Sequence, residues 1–140
     1  MRKIASIIVL SCLSVALWAQ SKNATYEAYI DEYRQVAIEQ QRKHGIPASI
    51  TMAQAILESA AGQSELATKA NNHFGIKCTS DWPGKTYNYG DNRSNECFRK
   101  YARPEESFID HSLFLKNRAR YSFLFELDRT DYKAWAKGLK

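Results

Sequence analysis

The chain has 140 residues, enough for one domain with a real core and too few for two. Hydrophobic residues make up 44% and charged residues 25%, the balance of an ordinary globular protein. The formal net charge of +5 suits mild attraction to an anionic polymer. The basic residues are scattered, and no helix carries a basic stripe with interleaved aromatics, so nucleic acid is not an expected partner.

Met1 to Ala19 reads as a secretory leader. Arg2 and Lys3 supply the positive start, Ile4 to Trp18 the apolar stretch, and Leu17-Trp18-Ala19 the small-residue end. The apolar run is too short and interrupted for a stable membrane span. Val9-Leu10-Ser11-Cys12 loosely resembles a lipoprotein cleavage box. Because the apolar region continues past Cys12, cleavage after Ala19 is the preferred reading over lipid anchoring at Cys12. The expected location is therefore the periplasm or the cell exterior. Removal of Arg2 and Lys3 leaves a charge of +3.

Gln20 to Thr25 is polar and reads as a flexible linker, so the folded domain is expected over 26–140. A first helix is predicted from Tyr26 to His44. Tyr26, Tyr29, Ile30, Tyr33, Ala37 and Gln40 follow the i, i+3, i+4 pattern, and Gly45 ends the helix. These tyrosines read as core.

Pro47 suits the first turn of a second helix. At about 100° per residue, Ile50, Ala53, Leu57 and Ala61 fall on one stripe, with Gln54 and Glu58 at its edge. Glu58 is the only ionisable group between His44 and Glu65. Partial desolvation and the negative end of the helix dipole should both raise its pKa, which is what an acid catalyst needs. Most helix glutamates have no such role, so chemistry alone leaves Glu58 open.

Gly62 breaks this helix. Ser64 can cap a short third one, with Glu65 in the first turn, where the dipole gives an acid a structural purpose. Asn71-Asn72-His73-Phe74-Gly75 is rich in turn residues. Thr86 to Tyr89 and Glu96 to Tyr101 read as two strands joined by a turn over Gly90 to Ser94, the chain's only β signal.

Cys78 and Cys97 flank this hairpin. In an exported protein such a pair reads as a disulfide, closing a loop of about twenty residues for roughly 3 kcal/mol. Of the three cysteines Cys12 leaves with the leader, and the remaining two with three scattered histidines make no zinc pattern, so no metal is expected.

Pro104-Glu105-Glu106 opens another helix with a broad apolar face: Phe108, Ile109, Leu113, Phe114 and Leu115. Asp110 and His111 are adjacent and diverge by about 100°, so they read as structural rather than as a catalytic pair. Tyr121, Phe123 and Phe125 form an aromatic cluster. Thr130 can cap a last helix from Asp131 to Lys137, carrying Trp135.

Four stretches, in order, resemble one family. They are Ala55-Ile56-Leu57-Glu58-Ser59-Ala60-Ala61-Gly62-Gln63-Ser64, Asn71-Asn72-His73-Phe74-Gly75-Ile76-Lys77, Phe98-Arg99-Lys100-Tyr101, and Glu106-Ser107-Phe108 followed by Asp110-His111 and Phe114-Leu115. Their order and spacing are similar to those of the endo-β-N-acetylglucosaminidases of glycoside hydrolase family 73, from about Tyr29 to the chain's end. The resemblance implies a mainly α (α+β) fold of the lysozyme-like kind: a helical lobe, a small β-hairpin lobe and a cleft between them. It implies a peptidoglycan hydrolase that cleaves the β-1,4 bond after N-acetylglucosamine, with Glu58 as general acid and no cofactor. The partners expected are peptidoglycan glycan strands, met by a monomer. Asn72 and Phe74 would line the groove, with a pure turn and core role as the alternative, and Tyr101 could hydrogen-bond substrate, although a core role serves Tyr101 equally well.

Hydrolysis of a glycosidic bond usually takes two carboxyl groups. The second should come from the hairpin lobe, where Asp91 and Glu96 are equal candidates and Asn88 stands where some relatives carry Glu. Participation by the substrate's own N-acetyl group would make a second acid dispensable. A lysozyme or lytic transglycosylase on the same fold is the rival enzyme, and a non-catalytic wall-binding module the rival of another class. Relatives continue past the Lys137-Gly138-Leu139-Lys140 segment into a Gly-Tyr-Ala-Thr-like motif whose tyrosine belongs to their active site. The domain is thus expected to be truncated at Lys140.

Overall fold

The computed structural model describes residues 24–90 and 95–140. The leader, its cleavage sites, most of the linker and the candidate Asp91 lie outside the described residues.

The first helix, α1, covers residues 24–44 and so begins two residues before Tyr26. Tyr29, Tyr33, Ala37 and Gln40 are buried along one stripe, while Tyr26 and Ile30 are left at its exposed flank. Gly45 ends the helix at φ +79°, a left-handed conformation that costs glycine nothing, and its N–H donates to the Gln41 carbonyl at 2.9 Å.

Helix α2 spans Ala48–Ser59. Pro47 stands just before it and offers no side-chain cap. The orphan N–H of Ala48 donates instead to Oε1 of Gln41, 2.7 Å away on the preceding helix. The inward face differs from the expected stripe. Ile50, Thr51, Met52, Ala55 and Ser59 are buried, whereas Ala53 is exposed and Leu57 is 79% exposed. Hydrophobic spacing alone misplaced the stripe because the buried face includes two hydroxyl residues, Thr51 and Ser59. The rotation moves Glu58 from the half-buried position expected of it to an exposed one.

Helix α2 ends in a left-handed turn. Ala60, Ala61 and Gly62 have φ of 50°, 52° and 80°. Only glycine does this freely; each alanine costs about 1–2 kcal/mol. The Ser59 hydroxyl holds the turn by donating to the Ala55 carbonyl and accepting from the Gly62 N–H at 2.8 Å. The Ser64 N–H closes it on the Ser59 carbonyl at 2.8 Å. Ser64 then caps helix α3, Glu65–Ala70, by accepting from the Ala67 N–H.

Strands β1, Lys85–Tyr89, and β2, Glu96–Lys100, pair antiparallel with Tyr87 opposite Phe98. The Cys78–Cys97 disulfide is formed. The hairpin is tied to the helical lobe where the Tyr87 hydroxyl donates to Glu65 at 2.6 Å. Glu65 thus has a structural task, as its place in the first turn suggested.

Helix α4, Pro104–Asn117, buries Ser107, Phe108, His111, Ser112 and Leu115, while Ile109 and Leu113 stay near 40% exposed. A 3-10 helix over Ala119–Glu126 takes up the aromatic cluster. Helix α5 covers Tyr132–Gly138 and is capped by Asp131, whose carboxylate accepts from the Ala134 N–H. Thr130, the expected cap, is instead held by Asp128 through both its N–H and its hydroxyl at 2.7 Å.

Two apolar clusters hold these elements. One joins Tyr29, Tyr33 and Ala37 of α1 to Met52 and Ala55 of α2, with Phe74, Ile76 and Phe108. The other gathers Ile46, Ile50, Leu115 and Leu124 around Trp135. The architecture is therefore a helical lobe carrying one two-stranded sheet, the mainly α (α+β) class expected. No described helix is long and apolar enough to cross a membrane.

Candidate active site

A groove of about 460 Å³ runs along the exposed edge of α2. Glu58 and Gln54, one turn apart, form one wall, and residues 74–79 form another. His111 and Phe114 of α4, with Arg118 and Tyr121 beyond it, close the far side. Glu58 is exposed and, among the described residues, makes no hydrogen bond or ion pair. It is also the only carboxylate among the described groove-lining residues.

The sequence places Glu58 here for a local reason. Ser59 is wholly buried under α2, so its neighbour, about 100° further round, faces outward. The left-handed turn then carries the main chain away at once.

The wall over 74–79 is stitched to the hairpin by backbone bonds. Cys78 N–H donates to the Cys97 carbonyl and Arg99 N–H to the Ile76 carbonyl, both at 2.9 Å. Lys77 makes an isolated antiparallel bridge to Phe98, which lays this segment beside β2. Arg99 reinforces it with its side chain. One arm donates to both oxygens of Asp110 at 2.9 and 3.1 Å, the other to the Thr79 hydroxyl at 2.9 Å, and Nε to the Lys77 carbonyl at 3.2 Å. The guanidinium lies over the Trp82 ring at 4.5 Å.

The expected site residues divide in space. Phe74 lines the groove beside Glu58; its ring stacks on His111 at 4.0 Å and meets Phe108 edge-on at 5.0 Å. Asn72 is 1% exposed and does not line the groove. Its amide donates to the carbonyls of Ile76 and Arg99, and its oxygen accepts from the Ile76 N–H, so it shapes the wall from behind. Tyr101 is also buried behind the wall and donates its hydroxyl to Asp110. Burial and that acceptor both push its pKa well above the phenol range. Glu96 does not line the groove; it pairs at 2.9 Å with Lys77, which does.

Asp110 and His111 point apart. Asp110 serves Arg99 and Tyr101. His111 is buried against Phe74, and burial pushes its pKa down to about 3, so the imidazole is neutral at physiological pH. Arg118 and Tyr121 belong to the groove although no motif marks them. No group of three or more potential metal ligands occurs among the described residues.

This geometry can be set beside known proteins. The sequence profile of the glucosaminidase family, described as mannosyl-glycoprotein endo-beta-N-acetylglucosaminidase, matches residues 34–140. Over 124 residues the chain is 27% identical to the peptidoglycan hydrolase FlgJ of Vibrio parahaemolyticus, covering 81% of this chain and 40% of that protein. Over 111 residues it is 38% identical to the exo-glucosaminidase LytG of Bacillus subtilis, covering 71% of this chain and 38% of that protein. The chain thus spans well under half the length of these relatives. Among solved structures, the glycoside hydrolase domain of Salmonella typhimurium FlgJ superposes with a TM-score of 0.61 at 26% identity, covering 69% of this chain and 64% of that one. A peptidoglycan hydrolase from Sphingomonas sp. A1 gives 0.61 at 32% identity, covering 67% and 64%.

Proposed function

The chain belongs to the glucosaminidase family, and from that premise we propose that it hydrolyses the β-1,4 bond after N-acetylglucosamine in peptidoglycan, with Glu58 as the general acid. One observation carries this reading: among the described residues, the carboxyl group at the end of α2 has no partner and is the one carboxylate that lines the groove.

The chemistry follows from that placement. A glycan strand laid along the groove brings the scissile oxygen within reach of Glu58. Glu58 gives its proton to the leaving oxygen as the bond to the anomeric carbon breaks. The cationic sugar then needs a negative partner or an activated water. The hairpin segment supplies the candidates: Glu96, tied to the groove through Lys77, and Asp91, five residues before it in the sequence. The carbonyl of the substrate's N-acetyl group is a third possible nucleophile, and it needs no second protein carboxylate. Asn72, Phe74 and Tyr101 support the substrate side. Phe74 offers ring surface in the groove, and Asn72 and Tyr101 hold the wall.

The chain's N-terminal signals and its substrate together support export to the periplasm or the cell exterior, with Ala19 as the cleavage point. The protein acts there as a monomer on glycan strands, without cofactor.

Reducing-end analysis of digested wall tests the reading. A glucosaminidase leaves reducing N-acetylglucosamine. Reducing N-acetylmuramic acid would make it a lysozyme, and an anhydro-sugar a lytic transglycosylase. Separate Asp91→Asn and Glu96→Gln variants identify the second carboxylate. The one whose loss abolishes turnover while strand binding persists holds the role, and retention of turnover in both assigns it to the N-acetyl group.

A further inference from the structure

Three side chains with cationic chemistry line the groove, and they stand in different states. His111 is neutral, held so by burial. Lys77 is matched by Glu96 at 2.9 Å. Arg118 has no carboxylate partner among the described residues, whereas Arg34, Arg99 and Arg103 each hold one.

Arg118 is also held in place. Its residue joins the end of α4 to the start of the 3-10 helix, and its carbonyl accepts from the Tyr121 N–H at 2.9 Å. Its guanidinium carbon lies over the Phe114 ring, 4.0 Å from the ring centre. A cation–ring contact occupies the face of the guanidinium, and its edge has no hydrogen-bond acceptor among the described residues. That edge is a fork of N–H donors which fits a carboxylate with two parallel bonds. Arg118, Phe114 and Glu58 line the same groove.

We propose that Arg118 is a specificity-determining residue that binds a carboxylate carried by the muramyl unit next to the scissile bond. This rests on the proposed peptidoglycan hydrolysis. The glycan backbone of such a strand is otherwise neutral, so its acidic groups are what an unmatched arginine can select. Two sources share this chemistry: the lactyl carboxyl of an unsubstituted muramyl unit, and the carboxyls of an attached stem peptide. A neutral chain of N-acetylglucosamine offers neither.

The test compares native wall strands with strands whose carboxyls have been converted to amides by carbodiimide and ammonia. Amidation should lower kcat/KM of the unaltered protein roughly tenfold to hundredfold, the worth of one charge-assisted pair. Arg118→Gln should lose a similar factor on native strands and lose little more on amidated ones. Arg120→Gln, which removes a neighbouring charge that does not line the groove, should still respond to amidation like the unaltered protein. The proposal is overturned if amidation penalises Arg118→Gln as heavily as the unaltered protein, or if Arg118→Gln cuts native strands at full rate. Strands with stem peptides and strands stripped by an amidase then distinguish the sources. Loss confined to the first assigns the stem carboxyl, and loss confined to the second assigns the lactyl carboxyl. If the unaltered protein releases no reducing sugar from any preparation, the proposed activity falls instead. Calorimetric binding of the same native and amidated strands to the unaltered protein and to Arg118→Gln still decides the role of Arg118.

Discussion

Glu58 and Ser59 are consecutive residues with opposite fates: Ser59 is wholly buried and its hydroxyl both donates and accepts, and Glu58 stands exposed in the groove without a partner among the described residues. The buried hydroxyl fixes the rotation of the helix end, and the rotation aims the carboxyl. A catalytic acid must be held within a fraction of an ångström of its target, so its neighbours matter as much as its own chemistry.

Ser59→Ala should therefore loosen the turn that aims the carboxyl, although Ser59 itself does not line the groove. It leaves the Gly62 N–H short of an acceptor, at a cost of about 1–3 kcal/mol. Gly62→Ala should cost more, because a Cβ there would meet the Tyr29 ring at 3.1 Å on a backbone at φ +80°. Urea unfolding of both variants checks the order: Gly62→Ala below Ser59→Ala, and both below the parent.

The Arg99–Asp110 pair, with its side chains only 13% and 17% exposed, locks the groove wall to α4. Removing one partner should cost about 3–5 kcal/mol, since the other is left with a largely buried charge. A double-mutant cycle with Arg99→Met and Asp110→Leu reads this as coupling: each single variant is hurt, and the double variant is less hurt than their sum.

Reduction should act on the same wall. The Cys78–Cys97 bridge spans a sequence separation of 19 and anchors groove residue Cys78 to β2. Its loss should cost roughly 3 kcal/mol. Thermal unfolding with and without dithiothreitol should show a lower Tm on reduction, and a Cys78→Ser, Cys97→Ser protein should show no response to the reductant.

Stability should fall on acidification, because burial lowers the folded-state pKa of His111 to about 3, and also that of His73, from 6.5. The unfolded chain binds protons that the folded chain refuses, so the stabilisation is whole above pH 6.5 and drains away toward pH 3. For His111 it amounts to at most about 5 kcal/mol, comparable with the whole stability of a small domain. Denaturant titrations from pH 7 to pH 4 should show this loss. His111→Phe, which keeps a ring against Phe74, should flatten the slope.

Much of this was legible in the sequence. The helix with Glu58, the capped helix after Ser64, the hairpin and its disulfide all follow from local signals: caps, turn glycines, strand composition and cysteine placement. Their strength is that each acts within a few residues. The rotation of α2 was not legible, because the buried face uses Thr51 and Ser59 where an apolar count favours Ala53 and Leu57. The cap of α5 was misread because Asp128, two residues upstream, captures Thr130 first. Arg118 and Tyr121 enter the groove through the packing of the 3-10 helix on α4, a contact between elements that no periodicity encodes. For the same reason the amides of Asn71 and Asn72 gave no sign that they bond to backbone about thirty residues away.

The most direct measurement is the turnover of Glu58→Gln on purified peptidoglycan strands, paired with its affinity for them. Glutamine keeps the shape and removes the proton. Turnover should fall by about 10²–10⁴-fold while strand affinity stays near that of the parent. A Glu58→Gln protein that cuts strands at the parent rate would contradict the assignment of Glu58 as the acid.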